Sequence, residues 1–214
     1  MFITFEGPEG GGKSTQARRL AERLRAAGNT VMLTREPGGT AAGKAMRAIW
    51  DDPAHSNLLP ITDLFLICAD RAQHVGELIR PALARGEIVI SDRYADSTRA
   101  YQGAGSGLNS ETVETLLQIA TGGLVPDLTI LLDLPAADGL ARRQAGWQTG
   151  RGKMDRLDRR SLAYHERVHA AYLKLAEQEP ERWAVFDARQ PIQTLADAIW
   201  QTVQARLVAC KNKP

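Results

Sequence analysis

Cysteine is scarce in this sequence. Cys68 and Cys210 are the only two in 214 residues and no C-x-x-C spacing occurs, which leaves no disulfide framework and no cysteine-based zinc site to infer. Long apolar runs are missing too. Nothing approaches the eighteen or so residues of a membrane span, and the apolar run at residues 1–6 is too short for a signal peptide. The expectations are no membrane partner and a cytoplasmic location. The net charge is only +2, too little for a protein whose task is to neutralise phosphates along a nucleic acid, so no nucleic-acid partner is expected. There is no internal repeat or low-complexity segment, and 43% hydrophobic with 24% charged residues is ordinary globular usage rather than disorder.

What is present is an alternation of strands and helices. Residues 2–6 are a short apolar run rich in β-formers, followed by a helix over 14–27 with Ala17, Leu20, Ala21 and Leu24 on one face and Gly28-Asn29 as its stop. A strand over 30–34, a Pro- and Gly-bearing loop over 35–40 and a helix over 41–50 come next. Leu64, Cys68, Val75, Ile79 and Leu83 recur at helical spacing across 62–84. Strands are predicted over 87–92, 128–134 and 184–187, helices over 135–145 and 158–177, a basic glycine loop over 147–153, and a last helix carrying Ile192, Leu195, Ile199 and Val203. Strands apolar on both faces and alternating with helices imply an α/β fold, a three-layer sandwich with a central parallel sheet of about five strands. A chain of this length makes one domain.

The strongest local signal is Gly7-Pro8-Glu9-Gly10-Gly11-Gly12-Lys13-Ser14, a full match to G-x-x-x-x-G-K-[ST] between a predicted strand and a predicted helix. Glycines let the backbone wrap a β-phosphate with its N–H groups inward, and the following helix adds its positive end. Lys13 can span the β and γ oxygens, and Ser14 offers a hydroxyl to Mg²⁺. The chain is therefore expected to bind ATP with Mg²⁺ through residues 7–14 and Thr15. The motif names a nucleotide site and a P-loop NTPase fold, not a reaction.

The rest of the chain narrows the reaction. A base-reading Asn-Lys-x-Asp and an Asp-x-x-Gly after a strand, the marks of a GTP switch, do not occur. Instead Asp92-Arg93-Tyr94 closes an apolar strand, where a carboxylate such as Asp92 can sit beside the metal. Of the 27 basic residues 21 are Arg and six Lys, and Arg suits bidentate phosphate binding. A donor pocket, an acceptor pocket and a closing lid are the expectation.

Several blocks resemble bacterial thymidylate kinase: Glu6-Gly7 with the P-loop, Thr34-Arg35-Glu36-Pro37-Gly38-Gly39-Thr40, Asp70-Arg71-Ala72-Gln73-His74, Asp92-Arg93-Tyr94, Ser97-Thr98-Arg99-Ala100-Tyr101-Gln102-Gly103 and Pro126-Asp127-Leu128-Thr129. The resemblance implies transfer of the γ-phosphoryl of ATP to dTMP, and a homodimer. By the same resemblance Arg71 would bond the thymine and Arg93 the acceptor phosphate. Tyr101 would crowd a 2′-hydroxyl, with Ser97, Thr98 and Gln102 on the same wall, while Glu36 and Pro37 would form the acceptor-side loop and Arg47 would reach the acceptor phosphate from the next helix. Because the P-loop carries no Arg, Arg143 or Arg151 would close over the transferred phosphoryl, with Arg142 on the ATP and Lys153 and Arg156 beside them, in a mobile lid at about 142–156.

Two features depart from the pattern. Ile67 stands where the family usually places an aromatic ring, one turn before Arg71 and on the same helix face. His165-Glu166-Arg167-Val168-His169 spells H-E-x-x-H, elsewhere a zinc-hydrolase motif, although the segment resembles a helix of the kinase family. The alternatives carried forward are a kinase for another nucleoside monophosphate, a non-catalytic ATP-binding regulator and a zinc hydrolase.

Overall fold

β1 (Phe2–Glu6) and β3 (Ile88–Asp92) are buried at every position and β4 (Leu128–Asp133) at all but its last, whereas β2 (Val31–Arg35) and β5 (Trp183–Asp187) are only partly buried. That gradient is what a parallel sheet covered on both faces requires of its central and edge strands. In the computed structural model, which describes residues 1–55, 57–150 and 156–211, the five strands form one wholly parallel sheet in the order β2-β3-β1-β4-β5. The expected three-layer architecture is the one found.

Alternation within each strand divides the core. Ile3, Phe5, Ile90, Ile130 and Leu132 point to one face, where α1 (Lys13–Ala26) and α9 (Ile192–Lys211) cover them with Leu20, Leu24, Leu195 and Ile199. Phe2 and Val89 point to the other face and meet α3 (Pro60–His74), α4 (Arg80–Ala84) and α6 (Ser110–Thr121). Leu131 of that face meets α8 (Leu162–Gln178) through Val168 and Tyr172. The remaining helices are α2 (Ala41–Asp51), α5 (Ala95–Thr98) and α7 (Ala136–Gln148).

The helix expected over 62–84 is interrupted: a π-helical turn, Val75–Ile79, joins α3 to α4. A second π turn, Arg99–Gly105, follows α5. Neither this segment nor α6 was expected: the π turn shifts the 3.6-residue period over 99–105, whereas α6 carries Val113, Leu117 and Ala120 at ordinary helical spacing behind an Asn109 cap. α8 starts at Leu162 rather than 158, since Ser161 Oγ accepts from Tyr164 N–H as its cap and Asp158 is drawn into an ion pair with Arg143. α7 extends to Gln148, so Trp147 and Gln148 are helical rather than loop.

Candidate active site

The chain leaves β1 at Glu6 and must turn within a few residues into α1, under two close neighbours. At Gly7, φ is +132° and an added Cβ would stand 2.5 Å from Leu132 O; at Gly10, φ is +73° and the distance to Gly139 O would be 2.4 Å. Only glycine fits either position. Lys13, the first residue of α1, is buried, and its Nζ donates to Gly7 O at 3.0 Å and Pro8 O at 2.7 Å. Burial, with Arg93 adding to it, lowers the Lys13 pKa to about 8. The next residue, Ser14, donates its hydroxyl to Asp92 Oδ2 at the end of β3. This touching pair is all oxygen, with no sulfur or imidazole, and therefore fits a hard cation such as Mg²⁺.

Arg93 follows Asp92 with φ +75°, the only positive φ outside glycine among the described residues. Such strain persists only where surrounding bonds hold it: Arg93 N–H donates to Phe5 O at 3.0 Å and Ser91 Oγ to Arg93 O at 2.7 Å. The guanidinium is thereby aimed back at the P-loop. Its Nη2 donates to Glu9 Oε1 at 2.5 Å and to Tyr101 OH at 3.1 Å, its Nη1 to Ser97 Oγ at 3.1 Å, and its Cζ lies 4.8 Å from the Tyr101 ring centre. Burial alone would raise the Glu9 pKa, but the charges of Arg93, Lys13 and Arg143 bring it down to about 2.

Behind Arg93 lies Glu6, fully buried, accepting from Tyr94 N–H at 2.8 Å, Ser97 Oγ at 2.5 Å and Tyr172 OH at 3.0 Å. Burial and the nearby Asp96 charge push its carboxyl up to about 7.

Arg71 is the largest fully buried side chain among the described residues. Its Nε donates to Glu36 Oε2 at 2.8 Å, Nη1 to Thr98 Oγ1 at 2.8 Å and Nη2 to Tyr94 O at 3.0 Å. The other Glu36 oxygen meets His74 Nδ1 at 2.8 Å, and His74 Nε2 meets Thr34 Oγ1 at 2.6 Å. One turn before His74, Asp70 Oδ1 accepts from Gly38 N–H at 2.9 Å. One face of α3 thus fastens both ends of the loop after β2, whose Glu36-Pro37 bond is cis.

These groups enclose a cavity of about 1100 Å³. Its walls include Glu9, Gly10, Gly12, Lys13, Ser14 and Thr15 on one side, with Arg142 and Arg143. Glu36, Pro37, Arg47, Ile67, Arg71, Ser97, Thr98, Tyr101 and Gln102 line the other side, and Asp92 and Arg93 stand between. Gly7, Pro8 and Gly11 do not line it and act as framework, the first two through the carbonyls that hold Lys13. Arg47 is half-buried, donating to Pro37 O at 3.0 Å. Arg142 donates to Ala188 O at 2.9 Å, and Arg143 makes a two-bond contact with Asp158 at 3.0 and 2.5 Å. Arg151 and Lys153 lie outside the described residues.

Sequence reasoning missed Arg35, which also lines the cavity, along with the supporting residues Glu6, Asp63, His74, Gly139 and Tyr172. Glu6 and His74 fall within blocks quoted above but were given no role, and Gly139 carried a local signal of its own, a glycine inside a helix where alanine is more stable. The H-E-x-x-H histidines are engaged separately: His165 Nε2 lies 3.1 Å from Leu157 O and His169 Nε2 2.6 Å from Asp133 Oδ1. They do not converge on one point.

Comparison with known proteins agrees with this geometry. The family model described as thymidylate kinase matches residues 5–199. A thymidylate kinase of Thermomicrobium roseum is 54% identical over 213 residues, covering 100% of this chain and 99% of the relative. One from Deinococcus radiodurans is 50% identical over 206 residues, covering 96% and 97%. The crystal structure of thymidylate kinase from Ehrlichia chaffeensis superposes with a TM-score of 0.77 at 30% identity, covering 95% of this chain and 98% of that one.

Proposed function

This chain belongs to the thymidylate kinase family, and from that we infer how the residues of the cavity divide the work. The enzyme phosphorylates dTMP to dTDP with ATP. Residues 7–14 with Thr15 and Arg142 hold the donor, and Glu36, Pro37, Arg47, Ile67, Arg71, Ser97, Thr98, Tyr101 and Gln102 hold the acceptor. Arg93 sits at the junction, and the observation that carries the assignment is its aim: the strained backbone at residue 93 points the guanidinium between the P-loop and the Tyr101 ring.

Phosphoryl transfer needs alignment and charge neutralisation more than covalent chemistry. Lys13 neutralises the donor's β and γ oxygens, and Arg93 orients the acceptor phosphate in line with them. Arg143 or Arg151 neutralises the transferred group. Ser14 and Asp92 would hold Mg²⁺, which would supply neutralisation of phosphate charge.

The reading extends to a single kinase domain with a lid at about 142–156, a cytoplasmic location and a homodimer. Support for the dimer comes from Phe65 of α3 and Ile119 of α6, large apolar side chains 54% and 72% exposed on packed neighbouring helices. The test is ADP release from ATP and Mg²⁺ with each nucleoside monophosphate in turn. Fastest turnover is expected with dTMP; a clear preference for another monophosphate would overturn the acceptor assignment.

A further inference from the structure

Asp63 takes no part in the roles above. It lies in the first turn of α3, is 5% exposed and does not line the cavity, yet both of its oxygens are engaged. Oδ2 accepts from Gln102 Nε2 at 2.8 Å, and Oδ1 takes Arg156, whose guanidinium lies 5.1 Å from the Trp50 ring centre. Arg156 thus balances the charge that Asp63 would otherwise bury alone.

A primary amide has a donor end and an acceptor end, and a carboxylate only accepts. Asp63 therefore selects the NH₂ end of Gln102, and flipping the amide would set Oε1 against Oδ2 with no proton between them. Gln102 lines the cavity beside Thr98 and is itself buried. The end of its amide left for the cavity is the oxygen, an acceptor. Arg71, tied to Thr98 on the same wall, has only donors to offer. A donor beside an acceptor complements a pyrimidine edge with a carbonyl oxygen next to a ring N–H, as in thymine or uracil. Cytosine shows the reverse, an amino donor next to an unprotonated ring nitrogen.

We propose that Asp63 is a specificity-positioning residue: it locks the Gln102 amide with its oxygen toward the acceptor base, so that the wall accepts 4-keto pyrimidines and rejects 4-amino ones. The proposal rests on the reading that Arg71 and Gln102 face the base of the acceptor nucleotide.

The experiment compares dTMP and dCMP as acceptors for the full chain and three variants, measuring kcat and KM for both acceptors and for ATP, with thermal midpoints alongside. Asp63→Asn, nearly isosteric, frees the amide to turn. Its kcat/KM for dTMP and its dTMP:dCMP ratio should each fall about tenfold, the worth of one reversed hydrogen bond, with the KM for ATP unchanged. Gln102→Glu faces one carboxylate with another and should lose the ratio similarly. The exchange variant, Asp63→Asn with Gln102→Glu, restores a donor–acceptor pair and leaves an acceptor toward the cavity, so its ratio should climb back toward the parent's. An unchanged ratio in Asp63→Asn, even with a lowered thermal midpoint, would reduce Asp63 to a structural role and overturn the proposal. So would an exchange variant no better than the worse single one. A parent chain that prefers another monophosphate to dTMP would instead overturn the acceptor assignment beneath it.

Discussion

Arg71 and Glu36 form an ion pair closed to water, Nε and Oε2 standing 2.8 Å apart with side chains 1% and 3% exposed. Removing one charge from such a pair leaves the other buried and uncompensated, at about 3–5 kcal/mol. Glu36→Gln keeps the shape and removes the charge. It should lower the unfolding free energy by that order in urea titrations and raise the KM for dTMP more than that for ATP. Equal changes in both KM values would show that the pair does not set the acceptor pocket.

Lys13→Ala removes the buried ammonium that holds Gly7 O and Pro8 O and would neutralise the donor phosphates. A loss in kcat of roughly 10²–10³-fold or more is expected, with an unchanged far-ultraviolet dichroism spectrum. An active, folded variant would mean that residues 7–14 are not the donor site.

Gly139 tests the seating of the P-loop on α7. An exposed helical Gly→Ala change stabilises by about 1 kcal/mol, but here the new Cβ would stand 2.3 Å from Glu9 O. Gly139→Ala should therefore destabilise, by about 1–3 kcal/mol, and raise the KM for ATP. Stabilisation instead would show that the loop moves aside without penalty.

Ile67 is buried, lines the cavity and sits one helical turn before Arg71. An aromatic ring there would add a stacking face worth about 0.5–1.5 kcal/mol. Ile67→Phe should lower the KM for dTMP roughly two- to tenfold, read from initial rates at saturating ATP; no change would show that this position does not cover the base.

The Glu6 carboxyl is raised from 4.5 to about 7 by burial and by Asp96. Between those values the native chain holds a proton that the unfolded chain has released, so the unfolding free energy should fall as pH rises from 4.5 to about 7. Glu6→Gln cannot titrate and should flatten this slope. Parallel pH profiles for parent and variant would assign the slope to another group.

Much of the site was legible because its signals are local. The P-loop is eight consecutive residues whose glycines are dictated by backbone approach, and the blocks holding Arg71, Arg93 and Tyr101 are short and distinctive. The pairings of the supporting residues were not legible in this way. His74 lies 38 positions from its partner Glu36 and Tyr172 lies 166 from Glu6, separations across which no period or motif extends.

The sequence by itself determined the sheet, through strands apolar on both faces, and the nucleotide loop, through glycines that nothing bulkier can replace. Only the tertiary structure decided what each charged group faces. It turned Arg93 onto Glu9 through a left-handed backbone at residue 93, gave Arg143 to Asp158, and separated the two histidines of H-E-x-x-H. The reason is physical: backbone preference is set by neighbours along the chain, whereas the partner of a buried charge is set by whatever the fold brings to within about 3 Å of it.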